Sequence, residues 1–158
     1  MLEAGEIDAF ISADVPRCVL DGSPRVGWLF DDYPSVEAEY YRRAGIFPIM
    51  HTLVIRRDLA RAYPGLAGSV YRAFCDAKEV AMQEYRAGRI CNHIDVTMPW
   101  ISALYDGNRR LFGDDWWPYG VEANRTSIDA FLRWHHEQGL SRRRLTCEDI
   151  FVQELMST

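Results

Sequence analysis

Apolar residues recur at helical spacing along most of the chain and cluster at strand-like density in two places. Leu66, Val70, Phe74, Ala77 and Ala81 fall on one stripe, which predicts a long helix over residues 64–87 with Gly88 as its stop. Residues 34–44 (PSVEAEYYRRA) predict an amphipathic helix, with Pro34 in its first turn and Gly45 at its end. Residues 98–112 predict another, opened by Pro99 and closed by Gly113, although Gly107 weakens it. Residues 126–138 read as a helix with Thr126 and Asp129 spaced as a capping box and Gly139 at the C-cap. Thr146 and Asp149 repeat that box ahead of a short terminal helix. The two strand-like stretches are residues 6–12 (EIDAFIS) and the branched, strongly apolar residues 46–56 (IFPIMHTLVIR). Pro48 places itself at the start, a bend or an edge of the second. Before the first strand, Leu2 to Gly5 read as the last turn of a helix with Gly5 as its cap.

Two strands and about five helices are too few strands for a doubly wound sheet. The pattern opens at the end of a helix and runs into a buried strand, like the second half of an αβ unit. The expectation is therefore an α/β chain, helix-rich, whose sheet is incomplete.

Composition narrows the class. A chain of 158 residues suits one ordinary domain, and 48% hydrophobic content is enough for a core. The formal net charge of -5 argues against a nucleic-acid footprint or a polybasic membrane-binding face. No run approaches the ~18 apolar residues of a membrane span. Residues 1–6 have neither a basic nor an apolar leader region, so nothing in them directs export. Cys18, Cys75, Cys91 and Cys147 are scattered, with no CxxC pair. That fits reduced thiols in the cytoplasm and gives no zinc set, with Cys75 reading as a small core residue.

The candidate chemistry sits in three places. His51 lies inside the apolar stretch 46–56, where an imidazole must be hydrogen-bonded or face a cavity. It reads as a satisfied core histidine or as a proton carrier near neutral pH. Tyr40, Tyr41, Arg42 and Arg43 occupy adjacent helix positions, so at most half can face one ligand. They read as a solvated helix end, or Arg42 or Arg43 clamps a carboxylate. Residues 113–122 (GDDWWPYGVE) form a stiff aromatic loop that either packs on the core or walls a ligand site. Glu122, Asn124 and Arg125 follow at once and open the next helix, whose N-terminus offers backbone donors to an anion. His93 with Asp95, and the neighbours His135 and His136, read as structural or solvated rather than metal-ligating. No phosphate-binding glycine loop and no nucleophile elbow occurs.

The order of these segments resembles the 4,5-dihydroxyphthalate decarboxylase family. The matching stretches are GEIDAFISA (5–13), EYYRRAGIFPIMHTLVIRRD (39–58), YRAFCDAK (71–78), MPW (98–100), LFGDDWWPYGVEANR (111–125) and HEQGLSRRRLT (136–146). They cover nearly the whole chain, and FPIMHT and GDDWWPYGxExNR are chemically unusual. Around residues 89–96 the sequence departs from the family, so His93 and Asp95 receive no role.

The resemblance implies an incomplete type II periplasmic-binding-protein-like fold, helix-rich with few strands. Residues 1–45 would be the end of the second lobe and the crossover, and residues 46–158 the part returning to the first lobe. The family's N-terminal half would be absent. The implied reaction is decarboxylation of 4,5-dihydroxyphthalate to protocatechuate, carried out as part of a complete protein. It needs a clamp for a dianion, a proton donor over the ring carbon and a group at the para hydroxyl, with no metal and no organic cofactor. From the residues themselves, His51, Tyr119 and Glu122 are the candidate catalytic groups. Arg125 is the preferred clamp, with Asn124, Trp117, Arg42 and Arg43 as further substrate contacts. The expected partner is a small aromatic dicarboxylate, without nucleic acid or membrane, together with a second copy or the missing half. The competing readings are a non-catalytic substrate-binding protein of a transporter, built on the same scaffold, and a remnant inactive by itself.

Overall fold

The computed structural model describes residues 1–90 and 99–158. In chain order its helices are α1 (Arg17–Leu20), α2 (Tyr33–Ala44), α3 (Arg57–Ala62), α4 (Leu66–Ile90), α5 (Ile101–Phe112), α6 (Arg125–Glu137) and α7 (Cys147–Ile150). Short 3-10 turns at Glu122–Asn124 and Gln153–Leu155 complete the set. The chain divides into two compact units, Met1–Tyr40 and Tyr41–Thr158. No helix among the described residues is long and apolar enough to cross a membrane.

In the first unit, the opening residues carry the hydrogen bonds of a helix C-terminus. Glu6 N–H donates to the Met1 carbonyl and Gly5 N–H to the Leu2 carbonyl, both at 3.0 Å, with Gly5 at φ +71°. This is the paired bonding that a left-handed glycine completes after a last helical turn, as its sequence position predicts. The Asp32 carboxylate accepts from Ser35 N–H at 3.3 Å and so caps α2, which places Pro34 in the first turn.

The second unit is organised around α4 and α6. The core is Val121, Ile128, Leu132 and Cys147, with Leu145, Phe151 and Met156 packed against it. Burial pushes the Cys147 thiol pKa up, and the charge of the neighbouring Asp129 adds to this. α4 packs on α5 and on the Gln153–Leu155 turn. Its apolar stripe is only partly covered: Leu66 and Val70 are half-buried, whereas Phe74, Ala77 and Ala81 are exposed.

Several expectations are corrected. Residues 6–12 and 46–56 form no β-ladder with any described residue. Branched apolar residues favour an extended backbone, but a strand exists only where a second backbone pairs with it. α4 runs through Gly88 to Ile90, because one glycine costs a long helix only about 1 kcal/mol. α5 starts after Trp100, whose left-handed backbone (φ +65°) breaks the helix, so Pro99 lies outside it. Thr126 does not cap α6. The Glu122–Asn124 turn leads directly into a helix that begins at Arg125, which leaves Thr126 inside. Cys75 is half-buried rather than enclosed. The second box forms as predicted: Thr146 N–H donates to the Asp149 carboxylate at 2.9 Å, and the reciprocal bond is present. Cys91, His93 and Asp95 lie outside the described residues.

Candidate functional site

A cavity of about 680 Å³ opens within the second unit. That is the size of sites that enclose a small organic ligand, ~300–1,000 Å³. Residues distant in sequence build its aromatic wall. The Phe47 ring lies edge-on to Phe112 at 5.0 Å and to Trp117 at 5.8 Å, and Tyr41 tilts against Phe112 at 4.6 Å. α2 supplies Tyr41, the connection between α2 and α3 Phe47, the end of α5 Phe112, and the aromatic loop Trp117. The adjacent Trp116 stacks edge-on against Tyr105 at 5.0 Å. The loop therefore does both things its sequence allowed: its rings pack on neighbouring helices, and Trp116, Trp117 and Tyr119 also line the cavity.

Hydrogen bonds hold this loop at both ends. At one end, Lys78 Nζ donates to the Asp115 carboxylate at 2.7 Å and to the Trp117 carbonyl at 3.2 Å, and it sits 4.8 Å from the centre of the Tyr119 ring. At the other, the Asn124 amide donates to the Pro118 and Gly120 carbonyls, each at 2.9 Å. Thr158 closes the far side, accepting from Glu122 N–H at 2.6 Å through its carbonyl and from Val121 N–H at 3.3 Å through its hydroxyl. A side chain at Gly120 has no room: a Cβ there would lie 2.5 Å from the Thr158 carbonyl carbon, and φ is +109°. Tyr71, also on the wall, has its phenol pKa raised, first by a hydrogen bond with Cys75 and then by burial.

The candidate residues separate into two groups. His51, Trp117, Tyr119 and Asn124 line the cavity. His51 is exposed rather than enclosed in a core, so its ring has access to a ligand. Glu122, Arg125, Arg42 and Arg43 are not among the lining residues. Arg125 donates to Glu122 at 3.0 Å and reaches Glu148 at 3.5 Å, so two carboxylates already share its charge. Arg42 and Arg43 sit in the last turn of α2, where the helix dipole favours cations. His136 hydrogen-bonds the Ser141 carbonyl at 3.2 Å, and His135 lies against Phe131.

Sequence reasoning passed over Lys78. It is the one lysine among eighteen basic side chains. It also stands four residues from Phe74 and four from Met82, in register with the apolar face of α4. A cation at such a position must find partners, and that was the available signal.

No family model matches the chain. It is 40% identical over 151 residues to 4,5-dihydroxyphthalate decarboxylase of Comamonas testosteroni. The match takes in 96% of this chain and 45% of that protein, so the chain spans a little under half the length of this relative. Over nearly its whole length, the chain is a homologue of part of 4,5-dihydroxyphthalate decarboxylase.

Proposed function

We propose that this chain supplies the aromatic-walled portion of a decarboxylase site for 4,5-dihydroxyphthalate. The complete protein would have the two-lobed, type II periplasmic-binding-protein-like architecture and act in the cytoplasm. The observation that carries the reading is the cavity bounded by Tyr41, Phe47, Phe112 and Trp117, in a chain matched over 96% of its length by a protein of that name. Cys18, Cys75 and Cys147 are unpaired, which favours a reducing compartment.

The chemistry asks little of the protein beyond placement. Each ring carboxylate of the substrate has a hydroxyl para to it. Electron release from that hydroxyl lets the ring carbon bearing the carboxylate accept a proton. The bond to the carboxylate then breaks, its electron pair returns to the ring, and carbon dioxide leaves. One proton is consumed for each carbon dioxide formed, and the dianion becomes the protocatechuate monoanion. His51 is the proposed proton donor, since imidazole exchanges protons near neutral pH. Tyr119 lines the same cavity and is the proposed partner of the para hydroxyl. Trp117 and Phe47 offer apolar ring surface to the flat substrate.

The test joins this chain to the portion of the Comamonas protein that the match leaves out. The purified fusion is incubated with 4,5-dihydroxyphthalate, and protocatechuate and carbon dioxide are measured together. The expected result is equal amounts of both. Binding without turnover would sink the decarboxylase reading and leave a solute-binding protein.

A further inference from the structure

The cavity has a deficiency for the ligand proposed above. Among its described lining residues there is no lysine or arginine, and the one acidic side chain is Asp115. Aromatic faces carry the negative side of the ring quadrupole and repel an anion. A dicarboxylate entering here needs a cation within reach of the wall, and the three arginines singled out from the sequence do not line the cavity.

The geometry points to Lys78 as the carboxylate anchor of this cavity, with Asp115 holding its place until the ligand arrives. This inference rests on the reading of the cavity as a site for an aromatic carboxylate. Lys78 touches three segments of the wall: the Asp115 carboxylate, the Trp117 carbonyl and the face of the Tyr119 ring. Its side chain is 17% exposed, whereas that of Asp115 is 52% exposed. The asymmetry sets the direction of exchange. Asp115, which also accepts from Trp117 N–H at 3.2 Å, can release both donors and turn into water, while the ammonium stays at the wall with its Trp117 carbonyl and Tyr119 contacts. An incoming carboxylate takes the position that Asp115 leaves, so charge is exchanged rather than newly buried. Lysine suits this better than arginine, because a compact ammonium with three donors can change acceptors without realigning a planar fork.

Phthalate and its neutral dimethyl ester are the probes, and the readout is calorimetric titration of the full chain. The wild type should bind phthalate more tightly than the ester. Lys78→Met should weaken phthalate by about tenfold or more, the scale of a charge-assisted hydrogen bond, and move the ester by less than about twofold. Asp115→Asn removes the competitor and should tighten phthalate. Lys78→Arg should restore part of the affinity that methionine loses. If Lys78 merely anchored the loop, Lys78→Met and Asp115→Asn would both weaken both ligands, and that result would overturn the assignment. It would also fall if phthalate and ester bound equally and Lys78→Met changed neither, a result that leaves the aromatic cavity intact. Failure of the wild type to bind either ring would overturn the cavity reading itself, and this assignment with it.

Discussion

The side-chain amide of Asn124 donates to the Gly120 carbonyl at 2.9 Å, and its second hydrogen goes to the Pro118 carbonyl at the same distance. Both donors of the amide are thereby used on backbone. What Asn124 still offers the cavity is its oxygen, an acceptor suited to a substrate hydroxyl rather than to a carboxylate. Asn124→Asp should destabilise the chain by about 1–3 kcal/mol, because it sets a carboxylate against two carbonyl oxygens. Denaturant unfolding measures this. An unchanged midpoint would show that the loop is held without the amide.

Arg125 is expected to matter less for ligand binding than its place in the sequence suggests. Its pKa is raised, chiefly by the hydrogen bond to Glu122, and Glu148 shares its charge. Arg125→Ala should change phthalate affinity by less than about twofold, with a small effect on stability, as for other exposed ion pairs. A loss of tens-fold in titration would return Arg125 to the site as the clamp.

His51 should govern turnover rather than affinity. In the fusion with the remaining portion of the Comamonas protein, His51→Asn should lower kcat by about 10²–10⁴-fold, the usual contribution of a general acid. KM should stay within about twofold. If steady-state kinetics show kcat little changed, the proton comes from elsewhere, and Tyr119 becomes the candidate because it shares the cavity wall.

Acid should loosen the segment around α7 before neutral or mildly basic conditions do. The Arg143 guanidinium, bonded to both Asp149 oxygens at 2.8 and 2.6 Å, holds that carboxyl well below the usual range, and the Thr146 amide assists. A carboxyl whose native pKa is depressed contributes its full stabilisation above the ordinary value of about 4. The contribution is lost as the pH falls from there through the native value. Amide exchange at Cys147–Ile150 should therefore be flat from about pH 5 to 8, once corrected for intrinsic rates, and lose protection below about pH 4. In Asp149→Asn the acid-dependent step should disappear; its persistence would assign the step to another group.

Local rules determined much of this chain without any structure. Helices α2, α4, α5 and α6, the Gly5 turn and the Thr146–Asp149 box follow from 3.6-residue spacing and from capping chemistry, both of which act within a few residues. The unusual run from Asp114 to Arg125 marked part of the cavity wall, and the kinship with 4,5-dihydroxyphthalate decarboxylase, for the same reason: its character is contiguous in sequence. The tertiary structure alone decided what each polar group faces. Thr126 had the spacing of a cap, but the turn at Glu122–Asn124 starts the helix one residue earlier, at Arg125, and leaves Thr126 inside it. Arg125 and Lys78 are both cations near the aromatic loop. One is drawn off by Glu122 and Glu148, and the other is brought to the wall by a helix whose Lys78 is 37 residues from its partner Asp115. Likewise, residues 46–56 have strand composition, yet a strand requires a second backbone. Pairings of this kind depend on contacts between distant segments, which periodicity along a single chain does not encode.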